Sequence, residues 1–181
     1  MMKNLLYEFK VALISFFTKL MMKIPFHFIR LLYLRLVLGE IGKNCTVCRN
    51  VEIRIPYNIY LGNNVVINKR VLLDGRGGKI KIGDNTDIAQ DTFIWTLQHD
   101  YNDDYHKVCG GDVIIEDYVW IAARSNILPG VRIHKAAVIG TCSLVTKDVP
   151  EGSVVAGIPA KVIAYRQSNL KYKLFYRPLF E

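Results

Sequence analysis

Several marks of common protein classes are scarce or missing in this chain of 181 residues. Its four cysteines, at 45, 48, 109 and 142, form no disulfide framework, and Cys45-x2-Cys48 lacks the second pair that a zinc site needs. Thirteen glycines and six prolines are near-average numbers, which excludes collagen and proline-rich linkers. No stretch of uncharged apolar residues is long enough to cross a bilayer, and the longest uncharged run within residues 1–38 is Val11–Thr18. A secretory signal with a small-residue cleavage site is not expected. Acidic residues are also short, 16 against 24 basic ones, giving a net charge of +8. That excess sits at the ends. Residues 1–40 hold six basic and two acidic residues, residues 161–181 hold five and one, and residues 41–160 hold thirteen of each. With 51% hydrophobic residues the chain is not disordered, and its length suits one domain.

What is present begins with residues 1–40, an apolar segment studded with Lys3, Lys10, Lys19, Lys23, Arg30 and Arg35. Pro25 divides it into two predicted amphipathic helices. Basic, strongly apolar helices lie in a membrane interface with Lys and Arg reaching the headgroups, so residues 1–38 are expected to make peripheral membrane contact. Packing on the main domain or on a partner subunit is the alternative. The basic, aromatic tail of residues 166–181 is expected to join the same face. Nucleic acid is not expected as a partner, because the basic residues alternate with bulky aliphatics.

The middle of the chain repeats every six residues. Ile115, Ile121, Ile127, Ile133, Ile139 and Val145 follow one another without a gap. The fourth position after each is small or β-branched: Val119, Ser125, Val131, Ala137, Ser143 and Val149. Earlier groups are Ile41, Val47 and Ile53; Leu61, Ile67 and Leu73; and Ile82, Ile88 and Ile94. Two breaks stand out, a three-residue excess in Asp74–Lys81 and fifteen extra residues in Asp100–Ile114. A period of six fits a short strand plus a turn, and three such units close a triangular coil. Five stacked coils over residues 41–165, with a protruding loop at 100–114, give a mostly β parallel solenoid. The period does not set its hand.

Ile82-Gly83-Asp84-Asn85, Val119-Trp120-Ile121-Ala122, Ile127-Leu128-Pro129-Gly130-Val131, Val145-Thr146-Lys147-Asp148-Val149-Pro150 and Ala156-Gly157-Ile158-Pro159-Ala160 resemble the hexapeptide-repeat acyltransferases. Within them the chain is most similar to the sugar O-acetyltransferases of surface-polysaccharide synthesis, of the galactoside, maltose and colanic acid type. The resemblance covers about residues 41–165. It implies a left-handed, single-stranded parallel β-helix, a homotrimer, and transfer of an acetyl group from acetyl-CoA to a sugar or glycan hydroxyl.

That reaction needs a base for the hydroxyl proton, donors for the oxyanion and a groove for the coenzyme. His99 stands where the repeat gives way to the long excursion, and a histidine titrates near neutral pH. The resemblance places the family's catalytic histidine there. Asp100, its neighbour, is the candidate to orient the imidazole, with a backbone carbonyl as the alternative. His106 is expected to be solvated, and His27 and His134 to be structural. Asp74 and Arg76 interrupt the repeat one coil before His99 and offer hydrogen bonds to a sugar; Arg70, in the neighbourhood that the resemblance marks for acceptor contact, joins them. Carried over residue by residue, coenzyme contacts fall on Trp120, Ala122, Ala123, Gly140, Thr141, Thr146, Lys147 and Lys161. Gly140-Thr141-Cys142-Ser143 departs from the family's glycine, small, glycine.

No metal is expected in that mechanism. Two alternatives belong to other classes. A metalloenzyme resembling the γ-type carbonic anhydrases would need three converging histidines, and of the four present His27 lies outside the coil. A non-catalytic scaffold would use Trp95, Trp120 and the loop as a binding surface. Cysteine usage and acetyl-CoA both point to the cytoplasm, with the inner membrane face as the place of peripheral contact.

Overall fold

The computed structural model describes residues 2–177 and 179–180, with side chains from residue 8 onward. Two helices, α1 (Met2–Met21) and α2 (His27–Val37), precede the coil and part near Pro25. Each hexad then folds as a short strand and a turn. The first coil holds β1 (Glu40–Ile41), β2 (Thr46–Val47) and β3 (Glu52–Arg54); the second β4 (Ile59–Leu61), β5 (Val66–Ile67) and β6 (Leu72–Asp74); the third β7 (Ile80–Ile82), β8 (Asp87–Ile88) and β9 (Phe93–Trp95). A hairpin of β10 (Leu97–His99) and β11 (Val108–Gly110) interrupts the winding. The fourth coil holds β12 (Val113–Ile115), β13 (Trp120–Ile121) and β14 (Asn126–Ile127), and the fifth β15 (Arg132–Ile133), β16 (Val138–Ile139) and β17 (Leu144–Val145). A final antiparallel pair, β18 (Ser153–Gly157) and β19 (Ala160–Tyr165), closes the far end.

Three parallel sheets result. We call them face A (β1, β4, β7, β12, β15), face B (β2, β5, β8, β13, β16, β18, β19) and face C (β3, β6, β9, β14, β17). Register keeps every repeated aliphatic in line with the next, as in Val47 with Ile67, Ile67 with Ile88, Ile88 with Ile121 and Ile121 with Ile139. The small fourth position has a simple cause. It lies two residues before the next aliphatic, so both point inward. Val119, Ser125, Val131, Ala137, Ser143 and Val149 are all buried there, in the crowded inside of a corner. Hydroxyls at such positions satisfy turn carbonyls: Ser125 Oγ donates to the Ala122 and Gly140 oxygens, and Thr86 Oγ1 to that of Glu116.

Two corners are built alike in every coil. Between faces A and B, Asn44, Asn64, Asn85, Tyr118 and Ala136 take φ of 53–63°, and between faces B and C so do Asn50, Arg70, Asp91, Arg124 and Cys142 at 57–61°. At the A/B corner those above the first coil donate their N–H to the coil below: Asn64 to the Lys43 carbonyl, Asn85 to Asn63, Tyr118 to Asp84 and Ala136 to Asp117. The asparagines also link side chain to side chain, Asn44 to Asn64 at 3.3 Å and Asn64 to Asn85 at 3.2 Å.

The third corner, between C and A, takes every irregularity. Val47 pairs with a residue 20 positions on, Ile67 with one 21 on, Ile88 with one 33 on and Ile121 with one 18 on. The extra residues are a 3-10 turn at Pro56–Asn58, the glycine-rich segment after Asp74, and the hairpin. The first of these adds a small break to the two expected. The excursion also begins earlier than expected, at Leu97, because strand pairing with Val108–Gly110 draws three further residues out of the coil.

Both ends are covered. Met22 and Leu34 join the same core as the coil aliphatics. Arg30 is fully buried and donates to the carbonyls of Ile24 and Val47, so it anchors α2 and is not one of the basic residues reaching a headgroup. His27 is buried beside it, where its Nε2 accepts from the Val47 N–H at 3.4 Å. Cys48 is buried next to β2, which α2 packs against, and Cys45 faces inward as its hexad position requires. The tail returns along the A/B corner from the last coil to the first. Arg166 donates to the Tyr118 and Ala136 carbonyls, Tyr172 meets Tyr118, the Leu174 N–H reaches Asn85, and Thr46 Oγ1 bonds the Tyr176 carbonyl. Phe180 then contacts Phe26 at 5.9 Å, so the two basic ends of the chain meet.

Two expectations test this construction. Ala136→Gly relieves an alanine held at φ 63°, so it stabilises by roughly 0.5–1 kcal/mol although glycine usually destabilises; denaturant titration measures it. Burial, then the charges of Arg30 and Arg177, push the His27 imidazole below its ordinary 6.5. The unfolded chain therefore takes up the proton first, and the contribution of neutral His27 is complete above about 6.5 and lost as pH falls below it. Thermal melts across that range show the loss in the parent chain and not in His27→Gln.

Candidate active site

The site starts from the crowding at the C/A corner. A Cβ on Gly77 would lie 2.2 Å from the Thr96 carbonyl oxygen, and one on Gly110 2.5 Å from the same atom. Only glycine permits this approach, and it stacks the segment after Asp74 directly beneath the hairpin. Thr96 ties the layers together. Its buried hydroxyl donates to the Asp74 carbonyl and accepts from the Gly77 N–H at 3.0 Å, while its own carbonyl accepts from Gly111.

The hairpin lifts His99 out of the coil, where its side chain is exposed. Its Nδ1 lies 2.8 Å from the His106 carbonyl oxygen. A carbonyl only accepts, so Nδ1 carries the proton and Nε2 keeps its lone pair. The two imidazoles also stack, centroids 3.7 Å apart and planes 7° from parallel. His106 itself stands at φ 55°, its N–H bonded to the Asp103 carbonyl. Of the two expected ways of orienting His99, the carbonyl is the one found. Asp100 turns its carboxylate back to the Asn102 N–H at 2.9 Å, closing the loop, and it does not reach the ring. Asp103 does the same for Tyr105 and Lys107. At the loop tip Tyr101 and Tyr105 are 92% and 93% exposed.

Asp74 does not present itself to a sugar. Its side chain is fully buried and receives Arg76 Nε and Nη2, the latter at 2.7 Å, and Arg54 Nη1 at 3.3 Å. Burial acts to raise its pKa, but the hydrogen bonds and charge of Arg76, with Arg54 behind, outweigh it and hold the carboxyl below its ordinary value. Arg54 also bonds Glu52 at 2.7 Å and lies over the Trp95 ring. The cluster is neutral overall and braces the hairpin base; Arg76 remains about half exposed beside it. Arg70 belongs elsewhere. It sits at the B/C corner and forks onto Asp91 at 2.6 and 2.8 Å, so the three acceptor candidates do not meet.

The coenzyme candidates follow another line. Trp120 is 45% exposed on face B, in register with Asp87 below and Val138 above. Ala122 and Ala123 turn the next corner, and Gly140 and Thr141 turn it one coil higher. Thr141 Oγ1 donates to the Ala123 carbonyl at 2.7 Å, and Ala156 leaves no room for a side chain at Gly140. Lys161 is exposed on β19 above them. Thr146 and Lys147 lie instead at the C/A corner, on the same side of the prism as the hairpin. Within one chain, His99 and the Trp120–Thr141 line are thus separated by face C.

His106 is exposed, as expected, but its stack on His99 carries no periodic signal, since only the hairpin brings the two together. Asp87 was readable from register, because it holds the outward position before Ile88 that Trp120 holds before Ile121. Burial pushes its carboxyl above the ordinary value, partly opposed by Asn68 at 3.0 Å. A surface trough of about 650 Å³ lies on face A among Tyr60, Lys79, Lys81, Glu116 and Lys135, and no hairpin residue lines it. Among the described residues of one chain no three of His, Cys, Asp or Glu converge, and His134 pairs with Glu116 at 3.3 Å away from the hairpin.

A triangular parallel coil whose winding is broken by one histidine-bearing hairpin defines the class of hexapeptide-repeat acetyltransferases. Known proteins place the chain there. WcaF of Escherichia coli (strain K12), named for colanic acid biosynthesis, is 32% identical over 137 residues, which cover 76% of this chain and 75% of that one. A maltose O-acetyltransferase from Clostridium difficile 630 superposes with TM-score 0.72 at 34% identity, over 77% of this chain and 76% of that one. A hexapeptide-repeat acetyltransferase of Vibrio cholerae O1 biovar eltor, solved in complex with acetyl-CoA, superposes with TM-score 0.81 at 26% identity, over 88% of each chain. No protein-family model matches. The chain belongs to this family: it is an acyltransferase, and its coil is a left-handed parallel β-helix.

The stack on His106 makes a specific demand. His106→Ala keeps the carbonyl and loses the flat ring stacked on His99, so turnover is expected to fall by roughly tenfold while the KM for the acyl donor holds. His106→Phe keeps a flat ring and stays within about threefold of the parent. Steady-state kinetics of the two variants read this directly.

Proposed function

We propose that this enzyme transfers the acetyl group of acetyl-CoA to a hydroxyl of a sugar or glycan in surface-polysaccharide synthesis, with His99 as general base. The observation that carries the reading is the His99 ring itself, exposed on a hairpin with Nδ1–H given to a carbonyl and Nε2 left basic. Nε2 takes the hydroxyl proton as the sugar oxygen attacks the thioester carbonyl. The tetrahedral oxyanion then collapses, the C–S bond breaks, and the proton passes from His99 to the departing thiolate. No protein nucleophile is needed, because the thioester is already activated.

The remaining assignments follow from placement. The pantetheine arm runs past Trp120, Ala122, Ala123 and Gly140, where side chains are small or flat, with Lys161 above them to meet a phosphate; Lys147, on the hairpin side, reaches that groove from the neighbouring subunit. Face C keeps this line from His99 within one chain, which favours a homotrimer whose site joins the hairpin of one subunit to the groove of the next. The exposed tyrosines at the hairpin tip suit such a contact. Sugar acceptors are supported by relatives named for maltose and for colanic acid. We place the enzyme in the cytoplasm, with its basic ends against the inner membrane face.

Thiol release from acetyl-CoA, measured over a panel of sugars, tests the base. His99→Ala is expected to lose 10²–10⁴-fold in turnover with its fold intact, a magnitude typical of a removed general base. Asp100→Asn keeps most of the activity, since its carboxylate serves the loop. Turnover unchanged in His99→Ala would remove that residue from the chemistry.

A further inference from the structure

The helical cap has two apolar sides, and the coil uses only one. On α1 the inward side carries Thr18, and Met22 follows just past its end, both buried. The outward side carries Phe9, Leu13, Phe16, Phe17 and Leu20, all exposed and spaced so that they form one stripe. On α2, His27, Arg30 and Leu34 face the coil, while Phe28, Leu32 and Leu36 are 64–78% exposed. The returning tail adds Leu179 and Phe180 through the Phe26–Phe180 contact. These exposed apolar side chains are grouped on the cap and not scattered singly over the surface, as is usual for a soluble protein.

Charge selects the occupant. Lys10, Lys19 and Arg35 are exposed on the same helices and Lys23 in the turn between them, and residues 1–40 carry six basic against two acidic residues. A second copy of the cap would bring like charges together around a shared apolar centre, where interfaces are normally depleted of charge. A layer of phosphates above hydrocarbon matches both parts. No helix among the described residues is long and apolar enough to cross a membrane, so the helices lie flat, their stripes about 5–10 Å into the headgroup boundary. We infer that α1, α2 and the end of the tail form one docking surface for an anionic phospholipid bilayer. The hairpin leaves the third coil, about 10 Å from the first, so His99 opens sideways above the surface. The inference stands apart from the acetyl-transfer reading.

Full-length protein is mixed with phosphatidylcholine vesicles, with and without one third phosphatidylglycerol, and sedimented. It is expected to bind the anionic vesicles, more weakly at high salt. The double variant Phe16→Ser/Phe17→Ser is expected to lose at least tenfold in binding, and Lys19→Glu/Lys23→Glu to lose the preference for anionic lipid. Circular dichroism checks the fold, light scattering the oligomer mass, and thiol release from acetyl-CoA the distant site, which both variants retain. Parent protein left in the supernatant with both vesicle types would overturn the inference. So would variants that bind as the parent does, or a Phe16→Ser/Phe17→Ser variant whose mass changes while its lipid binding does not.

Discussion

Inward register governs this molecule. Each rung places one aliphatic per face over the one below, and a slip of a single residue would turn that side chain out to water. Extra residues therefore enter only where the chain turns. All three departures, at Pro56–Asn58, after Asp74 and at the hairpin, collect at the C/A corner. They also support one another. Asn58 bonds the Gly75 carbonyl at 2.8 Å, Gly77 abuts Thr96, and Thr96 and Gly110 form the hairpin base. The loop that carries His99 thus grows from three stacked layers, which gives an exposed imidazole a fixed origin.

Polar burial follows the same geometry. Backbone groups at the corners pair with the coil below, and threonine and serine hydroxyls close the remaining carbonyls. The charged exceptions stand where the regular pattern ends. Asp74 is held between Arg54 and Arg76 under the hairpin, and Arg30 fastens the helical cap to the first coil. Removing one partner from either would leave a buried charge or dipole unmet, which costs far more than the pairing itself returns. These groups set the shape of the hairpin base and of the cap.

Much of this was legible in the sequence. The period, the small fourth position and the position of the long break depend only on which residues point inward, and alternation fixes that. The place of His99 on the hairpin was legible because it stands beside the break. The hand of the coil was not, since a period of six suits either. Asp100 is next to His99 in sequence, but adjacent residues in a strand point apart, and the ring found a carbonyl seven residues on. Asp74 and Arg70 looked like near neighbours; the coil puts them on different corners, and the first is buried by its own arginines. Arg30 read as one more basic residue of an apolar helix, because nothing in the helix alone marks the side that meets Val47. The tail's return along the A/B corner rests on contacts nearly the length of the chain apart, beyond any local pattern.

The central proposal is that the hairpin of one subunit works on a groove of the next, and subunit mixing tests it most directly. His99→Ala removes the base, and Ala123→Trp fills the groove; each is expected to be inactive as a pure oligomer. Co-expressed, the two chains form mixed oligomers in which some sites combine an intact His99 with an intact groove. Thiol release from acetyl-CoA should then return to a substantial fraction of the parent rate. Mixed oligomers that form but stay as inactive as either pure variant would show that base and groove belong to one chain, and would contradict the proposal.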